Sequence, residues 1–166
     1  MARKNFDTSV DVVYDLMIHD IELVNSLVQS KLVSVSALNA DVADKLGHVV
    51  VQLRYKSGTI VKLTASRISH KRSRKMQIQT QNACYDTDFI TKEVTVYSSD
   101  TEGYAAHSLE VVDAEPLKAE LTHFLEAVKT RSDKLATAAY DGYQAVVVAA
   151  SIKQALTQKL YSHSYE

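Results

Sequence analysis

The chain has 166 residues, 46% of them hydrophobic, a formal net charge of -1 and one cysteine. That length and content suit a single globular domain, residues 1–166, with a core that needs no disulfide staple. The near-neutral charge gives no general case for nucleic acid or an anionic membrane. The longest apolar run, Ala145 to Ala150, is far below the roughly 18 residues of a membrane span. The opening "MARKNFDTSV" has no apolar signal core, so a cytoplasmic protein is expected. Cys84 stands alone with no histidine near it in sequence, and reads as a small buried side chain rather than a nucleophile.

In chain order, apolar residues recur at helical spacing from Val12 to about Gln29, with Asp11 or Ser9 available as the cap. Strands follow at 32–40, 48–55, 59–68, 75–80, 83–89 and 93–98, with 107–113 as a seventh; several alternate with period two. Lys56-Ser57-Gly58 reads as a hairpin turn and Asn82 as a second turn, which makes neighbouring strands antiparallel. Pro116 sits where a first helical turn tolerates it. It precedes an apolar stripe of Leu117, Leu121, Phe124, Leu125 and Val128. A last helix is expected from Asp141 as N-cap; its run Val146-Val147-Val148 favours a strand, but its length and the later Ile152, Leu156 and Leu160 decide for helix.

Helix, strand block and two helices read as α+β: an open, mostly antiparallel sheet with the helices packed on one face. The other face, with residues such as Val50, Leu53, Val61 and Leu63 or their neighbours, is apolar enough to suggest a homodimer or higher homo-oligomer.

The opening helix carries an unusual pattern. At about 100° per residue, Asp15, His19, Glu22 and Ser26 fall in one wedge roughly 60° wide, and nearly everything else is apolar. An apolar arc covering about two thirds of the circumference is too wide for a helix with its back in water, so a second cover is expected. Asp20 lies among apolar neighbours and should find a specific partner or shift its pKa. Asp15 and His19, at i and i+4, can act as a carboxylate that orients an imidazole; the same spacing also serves a surface ion pair of little energetic worth. No third ligand at zinc spacing accompanies them, so no metal is expected. A basic cluster, Lys71, Arg72, Arg74 and Lys75, fits a solvated edge, a ligand phosphate or, least well because no aromatic residue interrupts it, nucleic acid.

"DVVYDLMIHDIELV" resembles the helix that opens the C-terminal domain of the Gfo/Idh/MocA oxidoreductase family. "LTASRIS", "RSRKMQIQT", "YDTDF", "EPLKAELTHFLEAVK" and "YDGYQAVVVAASIKQAL" resemble later segments of that domain in the same order, so the likeness spans essentially the whole chain. "DLMIHDI" with "TASRIS" is similar to members acting on nucleotide sugars of the UDP-N-acetylglucosamine type. The resemblance implies an NAD- or NADP-dependent oxidoreductase acting on a sugar or nucleotide-sugar hydroxyl. His19 would be its acid/base, and Asp15 would orient that histidine or accept a substrate hydrogen bond.

Asp20 and Glu22 also match family positions and read as structural. Arg67 and Arg72, flanking "ISHK", are the expected substrate-binding residues for a phosphate, which a guanidinium fork suits. The glycines at 47, 58, 103 and 142 are isolated and make no dinucleotide fingerprint, and the family's catalytic lysine beside a proline has no counterpart. The chain therefore reads as an excised or truncated C-terminal half. It is expected to bind no cofactor and catalyse nothing alone, NAD or NADP belonging to the absent Rossmann domain. The competing expectation is a non-catalytic oligomeric scaffold or ligand-binding module.

Overall fold

The structure, a computed structural model, describes residues 10–42, 45–100, 103–111, 115–132 and 138–160. Ser9, one of the two expected caps, lies outside the described residues. Elements run in the order expected. A π-helical turn (Val13–Met17) leads into α1 (Ile18–Leu27). Strands β1 (Leu32–Val42), β2 (Lys45–Tyr55), β3 (Ile60–Ser66), β4 (Lys75–Gln79), β5 (Ala83–Asp88), β6 (Glu93–Asp100) and β7 (Gly103–Leu109) follow, then α2 (Pro116–Thr130) and α3 (Ala139–Leu160).

Every ladder is antiparallel, and the class is α+β with open sheets. The strands expected in one sheet form two: β1-β2-β3 and β4-β5-β6-β7. Two compact units carry them, one of residues 1–69 with 136–166, the other of residues 70–135.

In the first unit, odd-numbered residues of β2 and β3 share one face, because the register pairs Val49 with Ala65, Val51 with Leu63 and Leu53 with Val61. Val49, Val51, Leu53, Tyr55, Leu63 and Ala65 are all buried there, against Val12, Val13, Met17, Ile21 and Val24 of the opening helix. Helix α3 adds Ala145, Val148, Ala149, Ile152 and Leu156, whose spacing makes one helical stripe. That stripe overrides the strand preference of Val146 to Val148, leaving Val146 and Val147 on the solvent side. Helix α3 packs on both α1 and β1, and so supplies the second cover that the broad apolar arc of the opening helix needs.

The face away from the helices is more polar than expected. Leu53, Val61 and Leu63 share the helix-facing side; Val50 pairs with Leu38 and Thr64 on the other, beside exposed Gln52, Arg54 and Lys62. At the β2–β3 hairpin, Gly58 takes φ +90 and donates its N–H to Tyr55, a backbone conformation few side chains allow.

In the second unit, Met76, Ile78, Tyr85, Thr87, Val94 and Val96 share one sheet face through the β4–β5 and β5–β6 registers. Within that set only Val96 is fully buried, and the rest are half-buried. The α2 stripe, expected as a core face, is uncovered among the described residues: Leu117, Leu121, Phe124, Leu125 and Val128 are 53–65% exposed, and Ala127 is the residue α2 buries. Amphipathic spacing names a face but not its cover.

Candidate functional site

Period-two alternation carries the inward face of β3 one step past its end. Arg67 follows Leu63 and Ala65 in parity, and its N–H continues the ladder by donating to the Gly47 carbonyl at 2.9 Å. A guanidinium is thereby aimed into the layer where the opening helix starts, and its side chain is only 12% exposed. A charge so placed needs partners. It finds two: Nη1 donates to the Val10 carbonyl at 2.7 Å, and Nη2 to Oδ2 of Asp15 at 2.5 Å. The pair is lopsided, because the Asp15 side chain stays 48% exposed. Arg67 thus grips the carboxylate from the protein side.

His19 is exposed on α1, four residues beyond Asp15. The π-helical turn has a wider winding than an α-helix, which keeps residues four apart closer to alignment. Val13, Met17 and Ile21 are all buried, and Asp15 and His19 are both exposed. Among the described residues Asp15 bonds to Arg67 and not to His19. The helix pair is legible in the sequence spacing, whereas Arg67, expected to meet a substrate phosphate, here meets Asp15. The signal that could have found its inward aim is the parity of Leu63, Ala65 and Arg67.

The polar wedge divides between two places. Glu22 and Ser26 line a cleft of about 590 Å³ with Asn25, Tyr140, Asp141 and Gln144, where the end of α1 meets the start of α3. Asp15 and His19 do not line that cleft. The Nδ2 of Asn25 is buried with no hydrogen-bond partner among the described residues. Asp141, expected as the N-cap of α3, instead sits in its first turn and accepts the Ala138 N–H at 2.8 Å, as the acidic half of a capping box does. Asp20, one of whose two expected outcomes was a specific partner, is half-buried and has one.

Asp11 anchors the start of the opening helix. Its Oδ1 accepts the N–H groups of Val13 (2.9 Å) and Tyr14 (3.2 Å), and its Oδ2 takes Lys153 Nζ of α3 at 2.7 Å. Burial pushes this carboxyl up, but Lys153 and the two N–H donors outweigh it and hold the group below the ordinary value. Sequence reasoning offered Asp11 as one of two caps and missed the lysine, which is remote in the chain.

Arg72 lies in the second unit, exposed ahead of β4. Its neighbours in the basic cluster are engaged: the Arg74 guanidinium lies 5.3 Å from the centre of the Phe89 ring, and Lys75 reaches Asp88 at 3.2 Å. The Ile90 N–H first, and then Lys75, hold the Asp88 carboxyl below its usual range. Cys84 is half-buried in β5. No group of three or more metal-ligating side chains is assembled among the described residues, and no helix is long and apolar enough to cross a membrane.

An NAD(P) cradle does not fit the residues present. Every ladder among the described residues is antiparallel, so they form no βαβ unit, and the glycines are isolated along the sequence.

Residues 2–85 match the family described as the GFO/IDH/MocA C-terminal domain. A UDP-N-acetylglucosamine 3-dehydrogenase of Acidithiobacillus ferrooxidans is 29% identical over 126 residues, which is 72% of this chain and 40% of that protein. A solved structure of UDP-N-acetylglucosamine 3-dehydrogenase from the same organism superposes with a TM-score of 0.86 at 26% identity, covering 93% of this chain and 50% of that one. Levoglucosan dehydrogenase in complex with NADH and L-sorbose shares the fold at a TM-score of 0.79 and 14% identity, over 89% of this chain and 48% of its own. The chain spans about half the length of these relatives or less. With the ordered motifs and the α+β architecture in agreement, the chain belongs to the GFO/IDH/MocA family and corresponds to its C-terminal domain.

Proposed function

We propose that this chain is the substrate-binding and oligomerisation half of an NAD(P)-dependent oxidoreductase acting on a sugar or nucleotide-sugar hydroxyl, with UDP-N-acetylglucosamine as the first substrate to try. The observation that carries the reading is the exposure of both Asp15 and His19 on the opening helix, Asp15 held on its inner side by Arg67, in a chain of this family. The similarity to a UDP-N-acetylglucosamine 3-dehydrogenase supports the substrate class.

On this reading His19 exchanges the proton of the reacting hydroxyl, and Asp15 accepts a hydrogen bond from the same sugar. The cofactor is bound by a separate dinucleotide-binding half, and without it these 166 residues catalyse nothing. The apolar face of the four-stranded sheet, with Met76, Ile78, Tyr85 and Val94 only half-buried, supports assembly through a sheet face.

The test joins the chain to such a half and follows reduction of NAD+ or NADP+ with UDP-N-acetylglucosamine. His19→Ala should lower turnover by about 10²-fold, as loss of a positioned acid/base does, and leave folding intact. Full activity of that variant would reduce the pair to a surface contact. Sedimentation of the chain as a monomer at micromolar concentration would remove the oligomerisation role and leave a solitary binding module.

A further inference from the structure

We infer that Arg67 is a positioning residue for Asp15 and not a ligand of the substrate phosphate; the inference rests on the catalytic reading of Asp15 and His19. A phosphate-binding arginine presents an open fork of donors. In Arg67 both terminal nitrogens already have a partner, Nη1 the Val10 carbonyl and Nη2 the Asp15 carboxylate, so the two-nitrogen edge that would face a phosphate is engaged within the protein. With 12% of its side chain exposed it has little surface to offer, and an incoming phosphate would meet the negative charge of Asp15 first.

The geometry fits a clamp. Arg67 stands one residue past the end of β3, and the hydrogen bond from its backbone N–H to the Gly47 carbonyl still ties it to β2, so the guanidinium is carried from the sheet's end. It ties the sheet to the chain ahead of the helix through Val10 and to the helix itself through Asp15, two contacts within one planar group. Asp15 sits in the π-helical turn with its side chain half exposed, so packing on the protein side alone does not fix it. A second anchor from the strand fixes the carboxylate rotamer while leaving its outer side accessible. A carboxylate preset in this way sets the angle at which the sugar presents its reacting hydroxyl to His19, so its misplacement is felt in the chemical step.

Lysine is a poor replacement, because one ammonium on a flexible stem cannot hold Val10 and Asp15 in a common plane. Removal of Arg67 should therefore act mainly on turnover. A ligand of the substrate phosphate would instead act mainly on binding.

Two measurements test this. In the 166-residue chain, nitrogen-detected NMR should show Arg67 guanidinium protons in slow exchange with separate Nη signals, lost in Asp15→Ala. Fast, averaged signals in the unmodified chain would overturn the clamp whatever the enzyme does. In the enzyme joined to its dinucleotide-binding half, Arg67→Met should lower kcat by about 10- to 100-fold with KM changed less than about twofold, and Arg67→Lys should recover only part of the loss. A raised KM at constant kcat would return Arg67 to the substrate. Unchanged kinetics in both variants with reduced thermal stability would make it a purely structural contact. An unmodified enzyme inactive on every sugar tried would overturn the functional reading and the positioning role together, while the NMR result would still decide the clamp itself.

Discussion

Asp11 joins the start of the opening helix to α3, and its loss should be measurable in both stability and pH dependence. Its carboxylate caps two N–H groups, those of Val13 and Tyr14, and pairs with Lys153 at 2.7 Å. An N-terminal cap contributes about 1 kcal/mol. The ion pair is only partly shielded, the Asp11 and Lys153 side chains being 22% and 33% exposed, so solvent screening keeps it near about 0.5–1 kcal/mol. Asp11→Ala should therefore cost about 1.5–2 kcal/mol, or about 3–8 °C in Tm for a chain of this size. Asp11→Asn retains a capping oxygen and loses the charge, and should cost about 0.5–1 kcal/mol.

The sign of the pH effect follows from the depressed carboxyl of Asp11. A group whose folded value lies below its unfolded one contributes stability that is present above the unfolded value and lost as the pH falls through the folded one. Urea unfolding followed by circular dichroism should thus show the full gap between the unmodified chain and Asp11→Ala at pH 7. The gap should narrow below about pH 4, where the unfolded carboxyl begins to protonate. Equal stability at pH 7, or a gap that stays constant into acid, would refute this account of the helix start.

Leu53 has no exposed surface at the centre of the sheet core, so Leu53→Ala should cost about 2–5 kcal/mol in the same assay, and a loss below about 1 kcal/mol would mean that the core collapses around the gap. The hydroxyl of Tyr55 is buried without a partner among the described residues, so Tyr55→Phe should be neutral or stabilising by about 1 kcal/mol; a clear loss would reveal a hydrogen bond the fold does not otherwise show. Burial also raises the Tyr55 phenol, so stability should fall as the pH rises through its unfolded value of about 10, and that fall should be shallower in Tyr55→Phe.

Much of this architecture is local information. Helical spacing in Ala145, Val148, Ala149, Ile152 and Leu156 outweighs three consecutive valines, Pro116 opens α2, and Gly58 makes the turn that fixes the antiparallel register of β2 and β3. Each depends on periodicity or on backbone preference within a few residues, which sequence carries directly. The Asp15/His19 spacing is of the same kind.

What tertiary structure decided is which faces meet. The α2 stripe has the spacing of a core helix and remains more than half exposed, because spacing defines a face and only the surrounding chain can cover it. The strands divide into two sheets because β3 and β4 do not pair, a matter of partners and not of strand propensity. Lys153 meets Asp11, and Arg67 meets Asp15 across 52 positions of sequence, through the packing of α3 and of β3 against the opening helix. The sequence by itself determined the elements, the family likeness and the helix pair. The grip of a strand arginine on one member of that pair arose from sheet parity and helix placement together, because contacts between residues remote in the chain exist only once the backbone has brought their side chains to a common layer.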